Sequence, residues 1–178
     1  MARLPFVDPE NPPDALRPVF EQLLATRGRV PGMYRLLAHQ PDVLAAHRAY
    51  FHAALDAGIL PRPFKEKIAY KVARLRGSVY SSASHRSYAL RHGVSDTDMD
   101  AVDRGDYAAL PAPERAALDF ADKMVAARGN ITDADMAALQ AHFATAEVIE
   151  IVALIGIMEL ASSFGAVFGL EAEAKAPD

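Results

Sequence analysis

The chain has 178 residues, 51% hydrophobic and 24% charged, which suits one globular domain with a sizeable core. A net charge of −4 and a pI near 5.8 provide no general basic footprint for nucleic acid and no acidic tail. With no cysteine, disulfides, thiolate metal sites and thiol catalysis are excluded.

The first residues carry prolines and acids where a signal peptide would place an apolar run. The longest apolar run, Ile151 to Met158, is too short to span a bilayer. Both features predict a soluble, cytoplasmic protein without a membrane partner. Pro5, Pro9, Pro12 and Pro13 predict an extended arm over residues 1–13, an ordered lead-in to the first helix. That helix is predicted over Asp14 to Arg27, with Leu16, Val19, Phe20, Leu23 and Leu24 as its apolar stripe and Gly28 at its end. A short helix follows over Met33 to His39, then one over Pro41 to Asp56 closed by Gly58.

The next predicted helix, Pro63 to Arg76, sets Phe64, Ile68, Val72 and Leu75 inward and Lys67, Lys71 and Arg74 on a wet stripe. Gly77 breaks it. Ser78 or Ser81 can cap the following helix, which runs to His92. Ser95 to Asp98 starts a short helix ending at Arg104, and residues 105–113 form a loop. Pro113 to Arg128 reads as amphipathic, ended by Gly129 and Asn130; Thr132 caps a helix over Asp133 to His142. The last helix, Thr145 to Phe168, is apolar almost all round between Ile151 and Ala161, which predicts burial in a bundle or an oligomer. Period-two alternation is missing throughout. The reading is an all-α helical bundle in a single domain over residues 1–178.

The densest group of hydroxyls, residues 77–84, is followed directly by His85. Ser81 and His85 lie a turn apart on one face, with Ser78 in the turn before, so the stretch sits at a helix N-terminus that favours an anion. His85 is the candidate general acid or base, since imidazole titrates near neutrality. Ser78 and Ser81 are candidates to orient a substrate carboxylate or a water; helix capping is the competing role, and the stronger one for Ser78. No third group completes a serine nucleophile. Glu159 is a carboxylate in the most apolar helix, readable as a pocket-lining acid or as the partner of an arginine in a neighbouring subunit. Tyr80 and Tyr88 read as packing. His39, His47, His52, His92 and His142 show no metal-ligand spacing, so no metal is expected.

In this stretch the chain resembles the carboxymuconolactone decarboxylase and alkylhydroperoxidase-D superfamily. Its thiol members carry a glutamate, eleven residues, then Cys-x-x-Cys-x-x-x-His, and Glu66, Ser78, Ser81 and His85 fall on those four positions. Lys65-Glu66 with Ile68-Ala69 before the motif and Gly93-Val94-Ser95-Asp96 after it agree as well. So do the Val7 to Glu10 arm, Leu37-Ala38-His39 before Pro41, Ala117 to Asp122, and Glu147 to Gly156. Both cysteine positions are serine, so the thiol peroxidase chemistry of the family cannot run in this chain. The decarboxylase-like branch also lacks the full cysteine pair, and often has two histidines where this chain has Ser84-His85.

The resemblance implies an alkylhydroperoxidase-D-like bundle with an extended N-terminal arm, assembled as a homo-oligomer, a trimer or hexamer. It implies a lyase-like enzyme without cofactor, in which His85 moves a proton and Glu66 assists, acting on a small carboxylated lactone or carbonyl compound. Two alternatives stand beside it: a redox protein whose cysteines have become serine, and a non-catalytic oligomeric binding protein. Twelve residues of straight helix place Glu66 about 18 Å along the axis from Ser78. The pairing with His85 therefore requires angled helices or a bridging water or substrate. A surface carboxylate between Lys65 and Lys67 is the competing reading of Glu66.

Overall fold

Glycine and proline punctuation sets the helix lengths, and the tertiary fold decides which faces are covered. The computed structural model describes residues 2–126 and 130–173, which contain nine α-helices and no strand. They are α1 (Arg17–Arg27, after a 3₁₀ turn at Asp14–Leu16), α2 (Gly32–Leu37), α3 (Pro41–Phe51), α4 (Arg62–Leu75), α5 (Val79–Arg91), α6 (Asp96–Arg104), α7 (Ala112–Ala126), α8 (Asp133–Gln140) and α9 (Thr145–Phe168). The predicted helix ending at Asp56 is interrupted: α3 gives way to a π-helical turn over His52–Asp56. The predicted end of α7 at Arg128 and Gly129 lies outside the described residues.

The helix α4 is the axis of the molecule. Every side chain from Phe64 to Ala73 is buried, because α5, α6, α7 and α9 pack around it. This corrects the expected wet stripe. Lys67 and Lys71 are buried and are matched by carboxylates that α6 and α7 bring across that face. Lys67 Nζ lies 2.5 Å from Glu114 and 3.7 Å from Asp98, and Lys71 Nζ lies 3.1 Å from Asp122. Arg74 does stay half-exposed, paired with Asp103 at 2.6 Å. At the other margin, Leu75 and Leu24, expected inside, are exposed.

Two apolar clusters result. The larger one joins α4, α7 and α9, with Ile68, Val72, Leu118, Ile151, Leu154 and Ile155 fully buried. The smaller joins α1, α2 and the start of α3 through Phe20, Leu23, Leu37 and Leu44, with Phe164 and Phe168 of α9 packed against it. The N-terminal arm is an ordered lead-in, as expected. Arg3 donates to the last carbonyls of α9, and Val7 exchanges hydrogen bonds with Arg35 of α2.

The helix α9 begins and ends as predicted and forms the second spine. By length and composition it is apolar enough to cross a membrane, with a mean hydropathy of 2.0, which its longest uninterrupted apolar run does not suggest. In this fold its buried side serves as core, and 44% of that apolar window is covered.

Candidate active site

The site forms where the two clusters meet, under the α4–α5 hairpin. Gly77, at φ 65°, turns the chain between the helices. Ser78 then caps α5 by accepting a hydrogen bond from the Ser81 N–H at 3.3 Å. Glu66 lies nine residues before the end of α4 and His85 six residues after the start of α5. At 1.5 Å per residue those are about 14 and 9 Å from the turn, and the two side chains span the difference. His85 Nδ1 lies 2.7 Å from Glu66 Oε2, so neither a bridging water nor a substrate is needed to join them.

Glu66 is wholly buried and not the surface carboxylate of the competing reading. Its other oxygen accepts from Arg62 Nε at 2.6 Å, and Arg62 also reaches Asp56 at 2.5 Å. Burial alone would raise the Glu66 carboxyl, but the charges and hydrogen bonds of His85 and Arg62 outweigh it and hold the group below its ordinary value. An ionised carboxylate only accepts hydrogen bonds, so Nδ1–H of His85 donates. In the neutral ring Nε2 then carries the free lone pair, and no hydrogen bond engages it among the described residues. A buried carboxylate, a histidine oriented by it and an arginine that keeps the carboxylate charged make a unit suited to moving a proton.

Two connected spaces adjoin this unit. An open cleft of about 950 Å³ lies between α1, α3 and α5. Five arginines line it (Arg27, Arg29, Arg48, Arg62 and Arg91) against two acids, Asp56 and Glu173. The guanidiniums of Arg27, Arg62 and Arg91 stand 5.6 to 6.0 Å from the Tyr88 ring. In a chain of net charge −4 this is a local positive field, fit for an anionic molecule. A narrower pocket of about 60 Å³ shares walls with the cleft and reaches His85, Ser81, His47, Phe51 and Ala161.

Of the residues singled out in the sequence, Glu66, Ser81 and His85 come together here. Ser78 is buried at the helix start and lines neither space; its Oγ is engaged in capping. Glu159 is not brought to the site. It is partly exposed and pairs with Arg76 of the same chain at 2.6 Å. An apolar helix with one uncovered flank lets a carboxylate reach solvent and a surface arginine, here Arg76, and Glu159 lines neither of the two spaces described. Tyr80 and Tyr88 line the cleft as well as packing. Sequence reasoning missed Arg62, although its spacing of four from Glu66 on one helix was a readable ion-pair signal. It also missed His47 and the arginine lining. Those residues come from α1 and the turn after it, α3, α4 and α5, and no local pattern links them.

The site is thus that of an all-α protein with a buried Glu–His pair at a helical hairpin, opening to a cationic cleft. Residues 41–123, from α3 into α7, match the carboxymuconolactone decarboxylase family, and this match together with the similar solved structures supports the carboxymuconolactone decarboxylase and alkylhydroperoxidase-D superfamily. Similar solved structures include an alkylhydroperoxidase AhpD core, a peroxidase-related protein from Ralstonia eutropha JMP134, at 25% identity and TM-score 0.88, covering 98% of this chain and 94% of that one. A peroxidase-related protein from Silicibacter sp. TM1040 follows at 24% identity and TM-score 0.87, covering 99% and 93%. A variant of the debrominase Bmp8 in complex with 2,3,4-tribromopyrrole follows at 24% and 0.83, covering 99% and 96%. No curated protein sequence gives a significant match.

Proposed function

We propose that this protein is a thiol-independent acid–base enzyme of the carboxymuconolactone decarboxylase type, acting on a small carboxylated lactone or carbonyl compound. The observation that carries the reading is the 2.7 Å contact of His85 with a Glu66 carboxylate held charged by Arg62. In this reading the substrate carboxylate rests among the cleft arginines and its reacting carbon faces Nε2 of His85. Nε2 takes the proton, and the negative charge that develops is stabilised by Arg62 and its neighbours. Glu66 holds the ring in the required tautomer and balances the imidazolium that forms. Migration of a double bond follows when the imidazolium returns this proton to another carbon of the conjugated system; in the decarboxylating variant a carboxylate on the reacting carbon leaves as CO₂ and the electron pair left behind takes a proton from Nε2–H of the imidazolium. The test is turnover of a panel of lactone acids by the wild type and by His85→Ala, with turnover expected in the wild type and lost in the variant.

A redox reading draws support from the peroxidase-related neighbours, because Ser78 and Ser81 occupy the positions that carry thiols in the family motif. The variant Ser78→Cys/Ser81→Cys separates the two. If the scaffold is a redox enzyme with its thiols replaced, the folded double variant reduces an alkyl hydroperoxide with a dithiol as donor. If the acid–base reading holds, its peroxide turnover stays at the level of free dithiol.

We also propose that the chain assembles with copies of itself through α9. Ile149, Ala153, Gly156, Leu160 and Val167 follow a four-three spacing down one flank, with Ile149, Leu160 and Val167 exposed. Sedimentation of the wild type is expected to show a trimer or hexamer, and Leu160→Glu to shift it toward monomer at micromolar concentration. A wild-type monomer sinks this proposal.

A further inference from the structure

Deep in the narrow pocket, on the wall contributed by α3, stands a histidine that the proton-transfer unit does not use. His47 is 6% exposed, and neither ring nitrogen has a hydrogen-bond partner among the described residues. Its surroundings are aromatic: Phe51 stacks on it at 6.0 Å, Tyr34 meets it edge-on at 6.0 Å, and Phe164 stands at 6.3 Å. Burial pushes its pKa down to about 4, so the ring is neutral at physiological pH. A neutral imidazole offers one donor and one acceptor, and leaving both unmet inside a protein is costly. A leucine or phenylalanine would fill this aromatic cage without that cost. Phe51 also lies against His85, with ring centroids 6.3 Å apart, so both histidines neighbour the Phe51 ring and line the same pocket.

We infer that His47 is a substrate-binding residue that hydrogen-bonds the uncharged polar end of the ligand, a hydroxyl or carbonyl oxygen, in the narrow pocket. The inference rests on the reading of the arginine-lined cleft as the carboxylate site. It defines the ligand as a small acid with a carboxylate at one end, facing the arginines, and a neutral oxygen at the other, facing His47. His47 does not act on the reacting atoms through bond making. It fixes which end of the substrate lies beside His85.

The probe is 4-hydroxybenzoate, which carries both groups on one ring. Titrating it into wild-type protein labelled with ¹⁵N-histidine is expected to move the His47 ring resonances. Replacing His47 by Phe, which suits the aromatic cage, is expected to weaken binding about tenfold or more, the loss of one well-placed hydrogen bond. His47→Gln keeps a donor and an acceptor and is expected to restore most of the affinity. Thermal unfolding of His47→Phe is expected to stay at or above the wild-type temperature, which separates a binding role from a structural one. Unchanged affinity in His47→Phe, unmoved His47 resonances, or no binding of the probe by the wild type at millimolar concentration overturns the inference. His85→Ala is expected to bind the probe normally. Lost turnover in His85→Ala with normal probe binding by His47→Phe therefore overturns the role of His47 while the acid–base reading stands.

Discussion

Replacing His85 by Ala lowers kcat on an accepted lactone acid by about 10²- to 10⁴-fold, the range for removal of a general acid or base, while KM changes little. The expectation follows from geometry. The carboxylate sits at 2.7 Å on Nδ1, so the proton-accepting nitrogen is Nε2, and no other imidazole shares the Glu66 contact. Glu66→Gln is a milder and more informative change. It preserves shape, but its amide can donate to Nδ1, which favours the tautomer with the proton on Nε2 and removes the base. A loss of about 10²-fold in kcat is expected, without loss of folding, because Arg62 keeps an oxygen to donate to. Arg62→Lys is expected to lie between wild type and Glu66→Gln. Wild-type rates in His85→Ala, measured as initial velocities on purified protein, sink the assigned role.

Glu150→Ala destabilises the fold by about 3–5 kcal/mol, the cost of leaving a buried charge without its partner. The charge left behind is that of Lys65, which is 2% exposed. Its Nζ lies 2.8 Å from Glu150 and also donates to the Ala57 carbonyl. The Glu150 carboxylate further accepts the Ile59 N–H at 2.7 Å and the Leu60 N–H at 3.3 Å, so it fastens the connector before α4 to the start of α9. Gly58, at φ 93°, is required at this place: a Cβ there would fall on the Glu150 carboxylate. Urea unfolding measures the loss. The double variant Lys65→Met/Glu150→Leu is expected to recover most of it, because a well-packed apolar pair removes the uncompensated charge.

The same carboxylates set the acid limit of stability. Burial raises Glu150, but the Lys65 hydrogen bond and charge and the two backbone N–H groups outweigh it, and its folded value is lowered; Glu66 is lowered by His85 and Arg62. A carboxyl lowered on folding adds stability that is complete above its unfolded value, near 4.5. That stability is lost as the pH falls through the lower folded value. Wild-type unfolding temperature is therefore expected to drop steeply below pH 4.5, and Glu150→Ala to show a shallower drop, since one of the two groups is gone.

Helix boundaries were legible because they are written locally. Gly28 after α1, Ser78 and Ser95 as caps and Gly105 after α6 act through backbone geometry and short-range hydrogen bonds, and each stands where the sequence placed it. The register of Glu66 with His85 was legible too, through the spacing shared with the superfamily. Its closeness was not, because contact across a hairpin depends on how two helices meet. The fate of the α4 lysines was out of reach for a similar reason. A stripe of Lys67, Lys71 and Arg74 looks wet until α6 and α7 fold across it carrying Asp98, Glu114 and Asp122, which are distant in sequence.

By itself, then, the sequence determined the all-α class, the order of the helices, the apolar spine Thr145–Phe168 and the absence of a thiol at positions 78 and 81. Periodicity, capping and residue identity are properties of neighbours along the chain. Only the tertiary structure decided that Glu66 is charged and sealed between Arg62 and His85, that Glu159 belongs to Arg76 and not to the pocket, and that His47 waits unpaired beside His85. Desolvation and the pairing of charges depend on which surfaces the packed helices cover, and no segment of the chain carries that information alone.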